Sequence, residues 1–364
     1  MELLVKKIQN ESDFTEYLEI LESFDITNPF YRIIDANLNE LTEGNLRCFV
    51  MQNNDGKIII VMPFLLRKIT CQNQEKQYYD VISPYGYSGP LFNRTLSRGW
   101  LLLFWELVDN WYRDNNVVSE FIRFNLCNNY DFYTGVLIPT LSNVRGAIIN
   151  EKDQWSNFKQ KVRNNYRRSI SNNLKIEIVF RDIEDSKIEL FHGIYTKTMA
   201  RIHAEREYFY SIHCLKNIIK LSKGKCLIAF TYFNNIAIST ELILISGTTL
   251  FSYLGGTLSN YFNLRPNDFL KLEVIKWARK NHMDYYVLGG GRTNYDSLYK
   301  YKKSFFPNDK DSVYYTGRKI VNQKAYDMLC SVFKTNVSDM DKMTCKYFPA
   351  YRQNNESMKR CVYR

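Results

Sequence analysis

Leu250-Phe251-Ser252-Tyr253-Leu254-Gly255-Gly256-Thr257 and Asp284-Tyr285-Tyr286-Val287-Leu288-Gly289-Gly290-Gly291 are two apolar runs that each break into glycines, and both read as buried strands. Between them, from Pro266 to Asn281, the apolar residues Phe269, Leu272, Val274, Ile275 and Ala278 fall at helical spacing. The pattern predicts a strand–helix–strand crossover, whose two strands run parallel. Ligands of such units bind beyond the carboxyl ends of the strands, where glycine lets a substrate approach the backbone. One glycine pair taken alone marks a turn more often than a site. Two pairs at equivalent ends of neighbouring strands point to a site.

Outward from the crossover, the second half of the chain reads as a basic helix, Trp155 to Leu174, a strand at Ile176 to Phe180 and a helix over Ile188 to Ile202. A short helix at Leu215 to Leu221 and a hairpin, Cys226 to Phe233 with Ile236 to Ile245 about Asn234-Asn235, complete it. The first half has the same order: a strand near Leu3 to Ile8, and a helix opened by Ser12 or Asp13 with Phe14, Tyr17, Leu18 and Leu21 on one face. A hairpin of Leu46 to Gln52 and Lys57 to Ile69 turns at Asn53-Asn54-Asp55-Gly56, with Pro63 hinting at a bulge or an edge. A strand at Tyr78 to Ile82, a helix near Leu96 to Asn115 and a strand at Val117 to Leu126 follow. The repeat predicts two related mixed α/β domains, 1–150 and 151–340, with mixed sheets flanked by helices and a basic tail at 341–364.

The 364 residues, 45% hydrophobic and 15% aromatic, are ample for two cores. Lys and Arg exceed Asp and Glu, 49 against 38, for a net charge of +11. Such a surface suits phosphate-bearing partners: nucleotides, tRNA, lipid phosphates or an anionic membrane. The eight cysteines are scattered, without metal-knuckle or redox spacing, and read as reduced thiols of a cytoplasmic protein. The N-terminus lacks the apolar core of a signal peptide. The stretch Trp100 to Trp111 is too short to span a bilayer and reads as a core helix. Zinc-finger spacing, a recognition-helix pattern and RNA-binding aromatic motifs are missing, so sequence-specific DNA binding is not expected.

Leu254-Gly255-Gly256-Thr257, Arg265-Pro266-Asn267-Asp268-Phe269-Leu270-Lys271-Leu272-Glu273, Leu288-Gly289-Gly290-Gly291 and Leu298-Tyr299-Lys300-Tyr301-Lys302-Lys303-Ser304-Phe305 together resemble the second domain of the Fem-type aminoacyltransferases. They equally resemble the related acyltransferases of bacterial polysaccharide gene clusters, and both groups belong to the GNAT-like superfamily. Pro84-Tyr85-Gly86-Tyr87-Ser88-Gly89-Pro90 and Lys161-Val162-Arg163-Asn164-Asn165-Tyr166-Arg167-Arg168 are similar to motifs of the polysaccharide-cluster members. The resemblance covers roughly residues 45 to 322 and implies two GNAT-like domains in tandem. It implies a lysine that stabilises charge on the acyl carbonyl, matched here by Lys302 of the pair Tyr301-Lys302, with Tyr301 a candidate to touch the substrate. The superfamily's glycine-rich phosphate loop is not matched, because Asn263-Leu264-Arg265-Pro266-Asn267 occupies its place. The helical arm of several Fem proteins is also missing, so neither a coenzyme A phosphate site nor a tRNA arm carries over.

Acyl transfer to an amine needs a dry cleft for the donor carbonyl, a positive group where the oxyanion forms, and a path for the amine's proton. Lys302 fits the second need, although Lys300, Lys302 and Lys303 also read as a solvated face. Backbone N–H groups at Gly255, Gly256, Gly289 and Gly290, with Asn267 beside them, are candidates to hold the donor, and close helix–strand contact is a compatible reading. The basic helix has no acid between Asp153 and Glu177, and Lys161, Arg168 and Lys175 share one face. Its Arg163 and Arg167 are candidates for a nucleotide, tRNA or lipid phosphate. His203 or Glu205 is the candidate general base, among Arg201, Tyr208 and Tyr210. Tyr85 and Tyr87, on a proline-stiffened loop, can stack on a sugar or base.

These residues lead to an acyltransferase that moves an acyl group from acyl-CoA to an amino sugar of an envelope-polysaccharide precursor, nucleotide- or lipid-linked, without a metal. The expected place is the cytoplasm or the inner face of the membrane. Aminoacyl transfer from charged tRNA to a peptidoglycan precursor is the alternative, and a non-catalytic polyanion-binding protein is a third.

Overall fold

The computed structural model describes residues 2–24, 28–34, 45–71, 76–335, 343 and 347–353. It divides into two units, Met1–Thr140 with Val313–Arg364, and Leu141–Ser312.

The first unit contains β1 (Glu2–Lys7), α1 (Glu11–Glu22), β2 (Leu46–Gln52), β3 (Ile58–Ile69), β4 (Tyr78–Ile82), α2 (Arg98–Asp114) and β5 (Val117–Arg123). Strand β6 (Val136–Ala147) leads into the second unit. There follow α3 (Glu151–Asn157), α4 (Gln160–Ser171), β7 (Lys175–Phe180), α5 (Asp185–Arg201), α6 (Ile212–Leu221), β8 (Cys226–Phe233), β9 (Ile236–Ser246), β10 (Thr249–Thr257), α7 (Pro266–Lys280), β11 (Tyr285–Gly289) and α8 (Ser297–Lys303). Strand β12 (Ser312–Ile320) and α9 (Gln323–Val332) return to the first.

Both units have the same strand order. In the first it is β1-β2-β3-β4-β5-β12, antiparallel except for the parallel pair β4/β5. In the second it is β7-β8-β9-β10-β11-β6, antiparallel except for β10/β11. The repeat expected from the sequence is therefore present, with one strand exchanged. The strand that follows the first crossover, β6, pairs with β11, and the strand that follows the second, β12, pairs with β5.

This exchange moves the boundaries away from 150 and 340. Gly317 faces Ile122 and Lys319 faces Glu120, so the chain beyond residue 312 completes the first unit's sheet. Tyr347, Phe348, Ala350 and Tyr351, expected in a basic tail, are buried with Tyr17, Leu21, Tyr326 and Leu329 in one core of that unit. The other core lies on the opposite face, where Phe49, Ile60 and Phe64 meet Phe104, Trp105 and Val108 of α2. Alternate residues of β2 and β3 thus enter different cores, as the two-residue period of a strand requires. The remainder of 341–364, apart from Met343 and the buried stretch, lies outside the described residues. Pro63 stands opposite Cys48, beyond the last β3/β4 pair at Leu65 and Ile82, so its missing N–H falls where β4 has ended.

In the second unit, the basic helix expected from Trp155 to Leu174 is two helices. Phe158 is extended (ψ 141°) and buried, which turns its ring into the core between them. Helix α7 starts where expected, with Arg265 left-handed (φ 61°) before Pro266, and buries Phe269, Leu272 and Ile275 against the sheet beside Tyr286 and Leu288. Burial of such side chains stabilises by roughly 1.5–3 kcal/mol each. The stretch Trp100 to Trp111 lies within α2, and no helix of the described residues is long and apolar enough to cross a membrane.

Candidate active site

The crossover strands pair at only three positions, Thr249 with Tyr285, Leu250 with Tyr286 and Phe251 with Val287. Beyond them β10 continues along β9 to Thr257, and β11 continues along β6 to Gly289, each past a register shift, at Ser252/Leu254 and Val287/Gly289. A bulge bends its strand and increases the local twist. The two strands therefore part, and a wedge opens at their carboxyl ends. In the first unit the equivalent place is closed. The N–H of Ser83 donates to Phe121 O and that of Ser88 to Arg123 O, both at 2.9 Å, so the loop from Pro84 to Pro90 stays joined to β5. Tyr87 packs edge-on against Phe30 and Tyr314 as part of this closure, while Tyr85 is exposed.

Lys302 reaches the open wedge of the second unit from α8. That helix is capped by Asp296, whose carboxylate accepts the N–H of Tyr299 at 2.8 Å and that of Arg292 at 2.7 Å. These bonds, the first above all, hold the Asp296 carboxyl below the usual range. A Cβ on Gly291 would stand 2.0 Å from Asp296 Oδ1, so the third glycine of the run is demanded by the cap. The Lys302 Nζ donates to Gly290 O at 2.6 Å, and Gly289, at φ +76°, lies beside it. A Cβ there would stand 3.6 Å from Nζ. Burial, and after it the charge of Lys271, push the Lys302 amine down to about 8, against partial compensation by Glu241 and Asp296. Its neighbours behave differently: Lys303 pairs with Asp311 at 2.7 Å and Lys300 is exposed.

Behind the wedge lies a buried polar group that the sequence reading did not single out. The Glu241 carboxylate on β9 accepts Lys271 Nζ of α7 at 2.5 Å, Tyr286 OH of β11 at 2.8 Å and the hydroxyl of Ser252 on β10. Lys271 also donates to the oxygens of Ser252 and Tyr286, both at 3.2 Å. Glu241, Lys271 and Tyr286 are 3%, 6% and 0% exposed, so the charges are satisfied by one another and not by bulk water. The signal was present: Glu241 is the one charged residue in the apolar run from Ile236 to Ser246, and a charge in a central strand requires a buried partner.

The start of α7 bears on what the wedge can hold. A helix start ordinarily cradles a diphosphate through its free N–H groups and positive dipole end. Here Pro266 has no N–H to offer, and the Asp268 carboxyl is buried in the first turn, where it accepts Asn165 Nδ2 at 3.0 Å. Burial raises that carboxyl's proton affinity. Asn267, expected at the donor, donates to Tyr301 OH at 2.9 Å, and this bond joins α7 to α8. Tyr301, expected to touch substrate, packs edge-on against Phe305. The residues at this helix start do not fit a diphosphate.

The glycines at the end of β10 divide. Gly255 is exposed, whereas a Cβ on Gly256 would stand 2.6 Å from Thr198 Oγ1 and 3.0 Å from Ile194 O of α5. Gly256 thus serves close helix–strand packing, and the Thr198 hydroxyl takes the N–H of Thr257 at 3.0 Å. Gly256→Ala should cost about 1–3 kcal/mol, read as a fall in melting temperature, because the backbone of α5 must move.

At the end of β10, Lys197, Arg201 and the segment from Thr257 to Tyr261 line a cleft of about 260 Å³. Arg201 lies over the Phe262 ring at 4.9 Å. His203 is exposed and left-handed (φ 50°), and Glu205 is exposed before the short helical turn Arg206–Tyr208. Tyr208 gives its carbonyl to Tyr195 OH at 2.7 Å. The charges that shift Lys302 are those of Lys271, Glu241 and Asp296, and the shift owes nothing to His203 or Glu205. Arg163 is used internally: its guanidinium donates to Ser156 O at 3.0 Å and to Phe158 O, capping the end of α3. Arg167 is exposed, 5.5 Å from the Trp155 ring centre. Among the described residues, no group of three or more His, Cys, Asp or Glu side chains is placed to hold a metal.

Residues 160–303 match the family model described as an acetyltransferase (GNAT) domain. No curated protein matches the chain by sequence. Among solved structures the chain is similar to FemX, at 12% identity and a TM-score of 0.62, over 90% of this chain and 99% of that one. It is also similar to the C-terminal domain of the protein designated a lysylphosphatidylglycerol synthetase in Agrobacterium fabrum (11%, TM-score 0.55, 90% and 97% covered). A third is L-PGS from Bacillus licheniformis (10%, TM-score 0.54, 90% and 97% covered). At these identities the likeness is one of fold.

Proposed function

We propose that the protein, whose residues 160–303 match the acetyltransferase (GNAT) domain model, is an N-acyltransferase that acylates the amino group of a phosphate-linked precursor of a cell-envelope glycan. The observation that carries this reading is the Lys302 amine, bonded to Gly290 O where β10 and β11 part. In the transfer, the acceptor nitrogen attacks the donor carbonyl carbon, a C–N bond forms, and the bond to the donor's leaving oxygen or sulfur breaks. The amine's proton passes to the leaving group or to water. The Lys302 ammonium donates a hydrogen bond to the oxyanion formed between these steps. Near neutral pH most of Lys302 is still protonated, and the protonated fraction falls above about 8. A polyanion-binding surface has no use for a withdrawn amine that tends to lose its charge, which weighs against a non-catalytic role.

For the donor, the sequence favoured acyl-CoA with an amino-sugar acceptor. The start of α7, with Pro266 and the buried Asp268 carboxyl, favours a donor that is not gripped there by a diphosphate. The aminoacyl ester of a charged tRNA meets that condition, and the exposed Arg167 and Arg168 of α4 suit its phosphates. For the acceptor, the cleft with Lys197 and Arg201 suits a nucleotide- or lipid-linked phosphate. Such a reaction belongs in the cytoplasm or at the inner face of the membrane.

Mass spectra of glycan precursors, incubated with the protein and either charged tRNA or acyl-CoA, test this. The expected product forms with charged tRNA and is lost on ribonuclease treatment. Product from the thioester that survives ribonuclease would reverse the choice of donor.

A further inference from the structure

We propose that Glu241 and Lys271, which meet no substrate, are positioning residues of the acyl-transfer site: they pin the bulge of β10 at the root of the wedge and set the charge that Lys302 faces. Four observations converge. The pair joins β9, β10, β11 and α7 through one carboxylate and one amine. Ser252, held by both members, is the residue at which the β10 register shifts, one position beyond the last pair with β11. Glu241 is the backbone partner of Gly255 on the far side of that shift and holds Ser252 on the near side through its carboxylate, so the two ends of the bulge are tied to the same residue. Both charged groups are buried, where water screens them little, and both act on Lys302.

A core needing only cohesion would be served at least as well by apolar side chains at these two positions. What apolar residues cannot supply is a fixed positive charge beside a second amine. The charges that act on Lys302 are those of Lys271 on α7, Glu241 on β9 and Asp296 in its own helix cap. Lys271 acts on it more strongly than Glu241, so the pair as a whole favours loss of the Lys302 proton. The effect is to bring the donor of the oxyanion bond closer in acidity to the reaction it serves.

The inference rests on the acyl-transfer reading for its kinetic meaning, and its test reads Lys302 directly, so the two fail separately. The rate at which Lys302 reacts with limiting acetic anhydride, followed by peptide mass spectrometry across pH, reports its neutral fraction. In Lys271→Met, and in the double variant Lys271→Met/Glu241→Gln that leaves no buried charge unpaired, the Lys302 titration should move to higher pH. Its labelling near neutral pH should fall about three- to tenfold, the change expected for roughly half to one pH unit. A Lys302 titration unchanged in a folded double variant would overturn the proposal, because a merely structural pair would leave it in place. A shift found in a protein without acyl transfer would retain the positioning role and refute the functional reading beneath it.

Discussion

Lys302→Met should lose about a hundred- to a thousandfold in turnover and yet be more stable than the parent protein near neutral pH. On the proposed mechanism the loss follows from removing the oxyanion donor. The gain follows from linkage. The amine is held down to about 8 when folded, against 10.5 ordinarily, so below pH 8 the folded chain must keep a charge that burial and Lys271 oppose. That cost is fully present below about pH 8 and is gone above about 10.5. Methionine removes it together with the bond to Gly290, for a net gain of about 1–3 kcal/mol near neutral pH. Melting curves at neutral and strongly alkaline pH should therefore show the variant ahead at the first and level at the second. Opposed effects on activity and stability mark a residue kept for chemistry.

The second large effect belongs to the first unit. Asp80 is fully buried on β4 and accepts Arg67 Nε at 2.7 Å, Arg352 Nε at 2.8 Å and Tyr351 OH at 3.2 Å. Arg352 also donates to Lys68 O at 3.0 Å, so residues 351 and 352 are tied to β4 through the Asp80 carboxylate and to β3 through this carbonyl. Asp80→Asn leaves two buried guanidiniums without an anion and should cost about 3–5 kcal/mol, measured as destabilisation of the first unit in urea. Burial alone would raise the proton affinity of Asp80, but Arg352 and Arg67 together outweigh it and hold the carboxyl below the usual range. The contribution is therefore present above about pH 4 and lost as pH falls through the lowered value. The variant should lack that acid-sensitive component.

The crossover was legible because two apolar runs and one amphipathic helix each carry their own period, which local physics translates directly into strands and a helix. Lys302 was found through its resemblance to a family motif, since Lys300, Lys302 and Lys303 are alike in sequence and differ only in what each meets. The glycines show the same limit. Gly256 makes room for Thr198, Gly291 for Asp296, and Gly289 takes a positive φ beside Lys302, three uses that one residue type cannot distinguish. The exchange of β6 and β12 was not legible, because a strand's own pattern does not say which of two similar sheet edges it joins. The Glu241–Lys271 pair, on elements thirty residues apart, could be suspected from the lone carboxylate in β9, but its partner could not be named.

On this reading the Lys302 ammonium, at the parted ends of β10 and β11, stabilises the transition state of acyl transfer. The pH dependence of kcat/KM in the parent protein and in Lys302→Arg tests it most directly. The parent should lose activity above about pH 8 as the amine gives up its proton, while the arginine variant, slower at neutral pH, should hold its activity through that range because a guanidinium stays charged. An alkaline limb near 8 that persists unchanged in Lys302→Arg would assign the titration to another group and contradict the account.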